Sequence, residues 1–361
     1  MRVLRQFCAA LLFCQLLCWG ARAEPPTPPG QPRSGPGGAE YKHAAVRKAA
    51  FGVGGTRFWL FEPAEPTPRS APVVALFHGW SGVNPMYYGA WIEHLARRGN
   101  IVIWPRYQAT ALDIRNITQN SVNALRAALA RLQDGAHVAP ELDKFALVGH
   151  SLGGTMAANV AARAQRAGLP KPRALMLVQP GDTKGSVTAQ RLGLDVPSVL
   201  EDYSTIPSDV LMLIVVGEED RLAGNQGALF FHETPQVPLQ NKDYIILRSD
   251  RHGSPPLVAH HFCPCALDER YDNGERPLWR ARGRRALFSE ALMRKLLGVD
   301  ALDYFGTWKL LDGLTDAAFY GKNRDYALGN TQKQRFMGVW SDGVPVRELV
   351  VTDNPPAVAR P

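Results

Sequence analysis

Gly149-His150-Ser151-Leu152-Gly153-Gly154 sets one serine among glycines directly after the apolar run Phe145-Ala146-Leu147-Val148. A G-x-S-x-G sequence between a buried strand and a helix makes a tight turn that lifts the hydroxyl into a cleft. Glycines are needed around it because side chains there would meet neighbouring backbone. The helix N-terminus beneath favours developing negative charge. The chemistry suited to Ser151 is attack on an acyl carbonyl, with a histidine to take the proton and a carboxylate to orient that histidine. Alone, the pattern also fits a glycine-rich turn with a surface serine, so the flanking elements decide its meaning.

Those elements alternate. Apolar runs at Val73–Phe77, Ile101–Trp104, Phe145–Val148, Ala174–Val178, Val210–Val216 and Tyr244–Leu247 are each stopped by Gly, Pro or Ser or by a short polar step before one. Runs of this length, apolar throughout, suit strands buried on both faces of a parallel sheet. Thr56–Phe61 and Ala45–Phe51 are further strand candidates ahead of them. Between the runs, Val122, Leu125, Leu129 and Leu132 fall on one helix face, and Tyr87–Arg97 and Leu152–Ala167 also read as helices. Strand–helix alternation predicts an α/β fold, a mostly parallel sheet with helices on both faces. Ligands then bind beyond the carboxyl ends of the strands, where the Ser151 turn lies.

With these motifs in place, the chain resembles the α/β-hydrolase superfamily over about residues 45 to 262. It is most similar there to secreted esterases of the dienelactone hydrolase, cutinase-like and chlorophyllase-like branches. His78-Gly79-Trp80-Ser81-Gly82 matches the family's His-Gly loop after the third strand. The resemblance implies an oxyanion hole built from the backbone N–H groups of Trp80 and Leu152, with His78 structural. It also implies the order serine, acid, histidine. The acid is then expected at Asp220, in Gly217-Glu218-Glu219-Asp220, with Glu218, Glu219 and the more distant Asp182 as rivals. The base is expected at His252, in Asp250-Arg251-His252-Gly253. His260 and His261 are alternatives, in a helix expected from about Pro256.

Other segments bound the reading. Arg2 and Arg5 precede a short apolar stretch, Phe7–Trp19, and Ala21-Arg22-Ala23 fits a small-x-small cleavage site. Residues 1–23 thus read as a signal peptide, predicting export to a periplasm or the medium and no stable membrane anchor after cleavage. Its removal lowers the formal charge from +8 to +5. Residues 24–39, EPPTPPGQPRSGPGGA, have too little apolar content to bury a face and read as a flexible, exposed leader. Export takes Cys8, Cys14 and Cys18 with the signal, leaving Cys263 and Cys265. So the fold must rest on its core rather than on a disulfide framework. His260-His261-Phe262-Cys263-Pro264-Cys265 clusters soft ligands, but its spacing matches no standard zinc pattern. No metal or organic cofactor is expected. The mild basicity comes without a dense Lys/Arg run or a nucleic-acid module, and no nucleic-acid partner is expected.

The expected organisation is a hydrolase core over residues 40–265, with 181–209 a possible lid, and a C-terminal helical extension over 266–361. Leu287, Leu292, Leu296 and Leu297 suggest one helix of that extension, Leu302–Phe319 a second, and Val346–Val351 a last short strand. Trp80, Tyr87 and Tyr88 are candidates to line an apolar or aromatic pocket. The function expected is cleavage of a small or lipid-like carboxylic ester through an acyl-enzyme. Acyl transfer or amide hydrolysis by the same residues, and a non-catalytic binding protein on the same fold, are the alternatives. Asn116-Ile117-Thr118 is a glycosylation sequon that matters only in a eukaryotic secretory host. Oligomeric state is left open.

Overall fold

In a computed structural model of the protein, nine strands among the described residues pair into one sheet. The structure describes residues 24–110, 113–184, 186, 189–190, 193, 195–275 and 294–360. The signal segment 1–23 and Leu287 and Leu292 of the expected helix lie outside them. The strands are β1 (Ala45–Phe51), β2 (Phe58–Ala64), β3 (Ser70–Phe77), β4 (Ile101–Pro105), β5 (Ala139–His150), β6 (Ala174–Val178), β7 (Leu211–Gly217), β8 (Lys242–Leu247) and β9 (Val350–Thr352). Their order is β1-β2-β4-β3-β5-β6-β7-β8-β9. The six strands from β4 to β8 run parallel, while β1, β2 and β9 pair antiparallel at the edges.

Burial explains the apolar runs. Every residue of β4, β6 and β7 is buried, whereas the edge strand β1 is only partly covered. On one face pack α2 (Ile117–Leu132), α3 (Leu152–Arg163) and α4 (Gly227–His232). Val122, Leu125, Leu129 and Leu132 point into that layer. The other face is covered by α1 (Gly89–Arg97) and by α5 (Lys309–Tyr320), which sits in the C-terminal extension. Leu310, Leu311 and Leu314 of α5 share a core with Val148, Met176 and Leu213 of the sheet. The turn before α5, Leu302–Trp308, is π-helical and continues into it. The extension therefore supplies a large part of one core face.

The expected free leader is instead docked. Pro36, Gly37 and Gly38 are buried. Gly37 N donates to Asp312 Oδ2 at 2.7 Å, Ser254 N to the Pro26 carbonyl at 2.8 Å, and Ser341 N to the Thr27 carbonyl at 3.0 Å. Its composition gives it no core of its own, but its backbone polar groups find partners on the segment after β8 and on the extension. Asp312 gathers Gly37, His94 Nε2 at 2.9 Å and Arg98 Nε at 3.1 Å, which joins leader, α1 and α5 at one buried carboxylate.

Candidate active site

β5 ends at His150 and α3 starts at Leu152, so Ser151 alone makes the turn, at φ 57° and ψ −127°. Such a conformation in a non-glycine residue costs about 1–3 kcal/mol and persists only when its surroundings over-determine it. Here Ser151 N donates to the Val178 carbonyl at 2.9 Å, and its own carbonyl accepts from Gly154 N at 2.8 Å. A Cβ at Gly149 would stand 2.0 Å from the Gly153 carbonyl oxygen. One at Gly153 would stand 2.2 Å from that of Phe77. Both glycines are therefore demanded by the close approach of backbone at the elbow.

Asp220 lies three residues past the end of β7 and is buried. Its Oδ1 accepts from Leu222 N at 2.8 Å and Ala223 N at 3.0 Å, and its Oδ2 faces His261 Nδ1 at 2.8 Å. Burial works to raise its pKa, but the His261 hydrogen bond and charge and the two amides outweigh it and hold the carboxyl below its usual range. His261 Nε2 in turn lies 2.9 Å from Ser151 Oγ. A carboxylate can only accept, so Nδ1 carries the imidazole proton and Nε2 presents its lone pair to the serine.

The histidine expected from sequence, His252, is elsewhere. Its Nε2 lies 2.7 Å from Asp342 Oδ2, and its side chain is 36% exposed. The reason is the path after β8. Asp250 and Leu257 form an antiparallel bridge, with Asp250 N to Leu257 O at 2.8 Å and the reverse bond at 2.9 Å. Residues 251–256 are thereby looped outward. The chain returns to the strand ends at Ala259, whose N–H donates to Ser249 Oγ at 3.0 Å and whose carbonyl accepts from Glu219 N at 3.0 Å. No helix forms at Pro256, and His261 follows in a turn beside Ser151. A longer chain path between strand and base, closed by a local bridge, leaves no mark in residue periodicity.

The His-Gly loop turns through a bond from Gly82 N to the Gly79 carbonyl at 2.9 Å. Gly79 N donates to Tyr88 Oη at 3.0 Å and Ser81 N to Gln108 Oε1 at 2.9 Å. His78 is buried, stacked on Tyr107 at 4.2 Å, and pushed down to about 4 chiefly by desolvation. This is a structural role. Leu152 opens α3, so its N–H has no intrahelical partner.

Trp80, Ser151, Leu152, Leu222, Gln226 and His261 are among the residues lining a cleft of about 370 Å³, counting space open to solvent. Tyr87 and Tyr88 do not line it. Both are buried in the core, Tyr88 with its hydroxyl 2.7 Å from His150 Nδ1. They sit beneath the elbow because the short helical turn Pro85–Tyr88 carries them inward. Asp182 lines the cleft, but its Oδ1 is engaged by Val199 N at 2.9 Å rather than by a histidine. Glu218 and Glu219 instead pair with Arg248 and Arg251 at the surface. Cys263 and Cys265 are free thiols, buried, and burial raises both pKa values. Among the described residues no group of three or more His, Cys, Asp or Glu side chains is arranged to hold a metal, and no helix is long and apolar enough to cross a membrane.

No curated protein matches the chain. A family model described as Chlorophyllase matches residues 58–217, which implies a hydrolase of the esterase type. The matched span carries the His-Gly loop and Ser151, while Asp220 and His261 lie beyond it. With its parallel central strands, its Ser151 elbow and helices on both faces, the chain has the α/β-hydrolase fold and, from β2 to the end of β7, matches the chlorophyllase family.

Proposed function

We propose that this protein is an exported serine hydrolase that cleaves carboxylic esters through Ser151, His261 and Asp220. The observation that carries the reading is the unbroken line from Ser151 Oγ to His261 to Asp220, at 2.9 and 2.8 Å. His261 Nε2 removes the hydroxyl proton as Ser151 attacks the acyl carbon. The N–H groups of Trp80 and Leu152 stabilise the oxyanion. In support, Trp80 lines the cleft beside Ser151, and Leu152 N–H lies at a helix N-terminus. Asp220 stabilises the imidazolium, which then protonates the leaving alcohol, and water attacks the acyl-enzyme by the same route in reverse.

The enclosed space in the cleft is small, about 30 Å³, which supports a short acyl group. Trp80, Leu152 and Leu222 give it apolar walls beside the polar side chains of Asp182, Ser186 and Gln226. Export is supported by the charged, apolar and small-residue order of the first 23 residues. The test is hydrolysis of p-nitrophenyl esters from acetate to long acyl chains by wild type and Ser151→Ala. The expected result is cleavage that favours short chains and is lost in the variant. No cleavage by wild type, with no fluorophosphonate label on Ser151, would sink the reading.

A further inference from the structure

Behind Ser151 runs a second line of hydrogen bonds that the acyl-transfer chemistry does not use. Gly79 N lies 3.0 Å from Tyr88 Oη, Tyr88 Oη 2.7 Å from His150 Nδ1, and His150 Nε2 2.7 Å from the carbonyl oxygen of His261. Tyr88 and His150 are each about 2% exposed. For a neutral His150, hydrogen-bond accounting fixes every direction. A backbone N–H can only donate, so the tyrosine oxygen accepts from Gly79 and its own proton goes to His150 Nδ1. A carbonyl can only accept, so His150 donates from Nε2. Neutral imidazole has one donor and one acceptor, and both are used. The Cys265 thiol also approaches Nδ1, but at 3.9 Å it is far the longer contact. Burial, with the nearby His261 ring second, pushes His150 down to about 3, consistent with a permanently neutral ring.

The two ends of this line are the two loops that flank the nucleophile. Gly79 precedes Trp80 in the oxyanion loop, and His261 is the base itself. The packing at the junction is close: a Cβ on Gly79 would stand 3.3 Å from Tyr88 Oη and 3.4 Å from both His150 Nδ1 and Ser151 Cβ. We infer that Tyr88 and His150 are positioning residues that hold the oxyanion loop and the base loop in register across the elbow, through a single locked tautomer of His150. This rests on the hydrolase reading for its consequence in rate, but not for its structure. Without the tyrosine proton, Nδ1 can take up the ring proton. Nε2 would then set a lone pair against the His261 carbonyl, pushing the base from Ser151. A displacement of about 1 Å costs on the order of 10²-fold in rate.

The experiment joins nitrogen-15 NMR of the histidine rings to kinetics on the mature protein, with Tyr88→Phe, His150→Gln and His150→Asn. Wild type is expected to show His150 neutral, with its proton on Nε2, from about pH 5 to 8. Tyr88→Phe is expected to lose the single tautomer and to lower kcat roughly 10–100-fold with KM within about twofold. Gln places a donor near Nε2 and Asn an acceptor near Nδ1. Rescue of kcat by Gln over Asn would assign the larger share to the base loop, and the reverse order to the oxyanion loop. The inference is overturned if His150 carries its proton on Nδ1 or titrates near 6.5 in wild type, or if a folded Tyr88→Phe keeps wild-type kcat. If Tyr88→Phe does not fold, the wild-type tautomer and the two His150 variants decide. A wild type that fails to take a fluorophosphonate yet shows the locked tautomer defeats the hydrolase reading alone.

Discussion

Two histidine–aspartate pairs have their histidines nine residues apart in sequence, and their chemistry is opposite. His261–Asp220 and His252–Asp342 have nearly the same separation, 2.8 and 2.7 Å. The first pair is 8% and 0% exposed and has Ser151 on its far nitrogen. The second is 36% and 38% exposed and lies against the edge of Trp340, with ring centroids 5.7 Å apart. In water the charge of a carboxylate is screened and its partner is replaceable, whereas in a closed site the same contact orients a ring and stabilises its charged form. A short His–Asp distance therefore carries no function by itself. Burial and the occupant of the other ring nitrogen do.

The sharpest way to break this comparison is to exchange the histidines one at a time. His261→Ala is expected to lower ester turnover by about 10⁴–10⁶-fold, and His252→Ala to leave it within about twofold, in assays of kcat on the same ester. The reverse result would return the base to His252. The acids sharpen it further: Asp220→Asn is expected to cost about 10⁴-fold in kcat by favouring the wrong tautomer, while Asp342→Asn leaves kcat alone. The third contrast is in stability. Asp312 is buried like Asp220 but touches no reacting group, so Asp312→Asn should lower the unfolding free energy by roughly 3–5 kcal/mol in urea titrations with the active site unaffected.

The pKa of Asp312 works with the same sign as that of Asp220. Burial raises it, but His94 and Arg98 outweigh burial and hold it below the ordinary carboxylate. Its stabilising contribution is full above the ordinary value of about 3.9 and is lost as pH falls through the lower folded value. The acid limb of stability should thus be shallower in Asp312→Asn than in wild type. The smallest effect is expected at Asp342→Asn, where the exposed pair should leave the urea midpoint unchanged.

The strands are legible because central parallel strands are apolar on both faces, and the Ala174–Val178 run is the strand to the residue. Ser151 is legible because its glycines answer a local backbone demand. Asp220 can be read because only two residues separate it from its strand. His261 cannot, because an Asp250–Leu257 bridge inserts a loop whose geometry depends on pairing rather than on residue type. Tyr88 escapes a sequence reading for a related reason: its polar tip is used, but by Gly79 and His150 under the elbow rather than by a ligand. The leader's composition rules out a core of its own but says nothing of whether another surface receives it.

That docking has a consequence for how the chain is completed. Thr27 N bonds to Ser341 Oγ across 314 positions, and Gly37 N to Asp312 across 275. In a chain made from its N-terminus, the leader emerges first and its partners nearly last. Closing such long loops contributes little to early collapse, so the leader is expected to dock as a late step, after the sheet has formed. Its protection from protease then reports whether synthesis ran to the end. A polypeptide cut short before residue 312 lacks Asp312, β9 and most of α5, so its leader has no partner to dock on and its first residues stay open to cleavage.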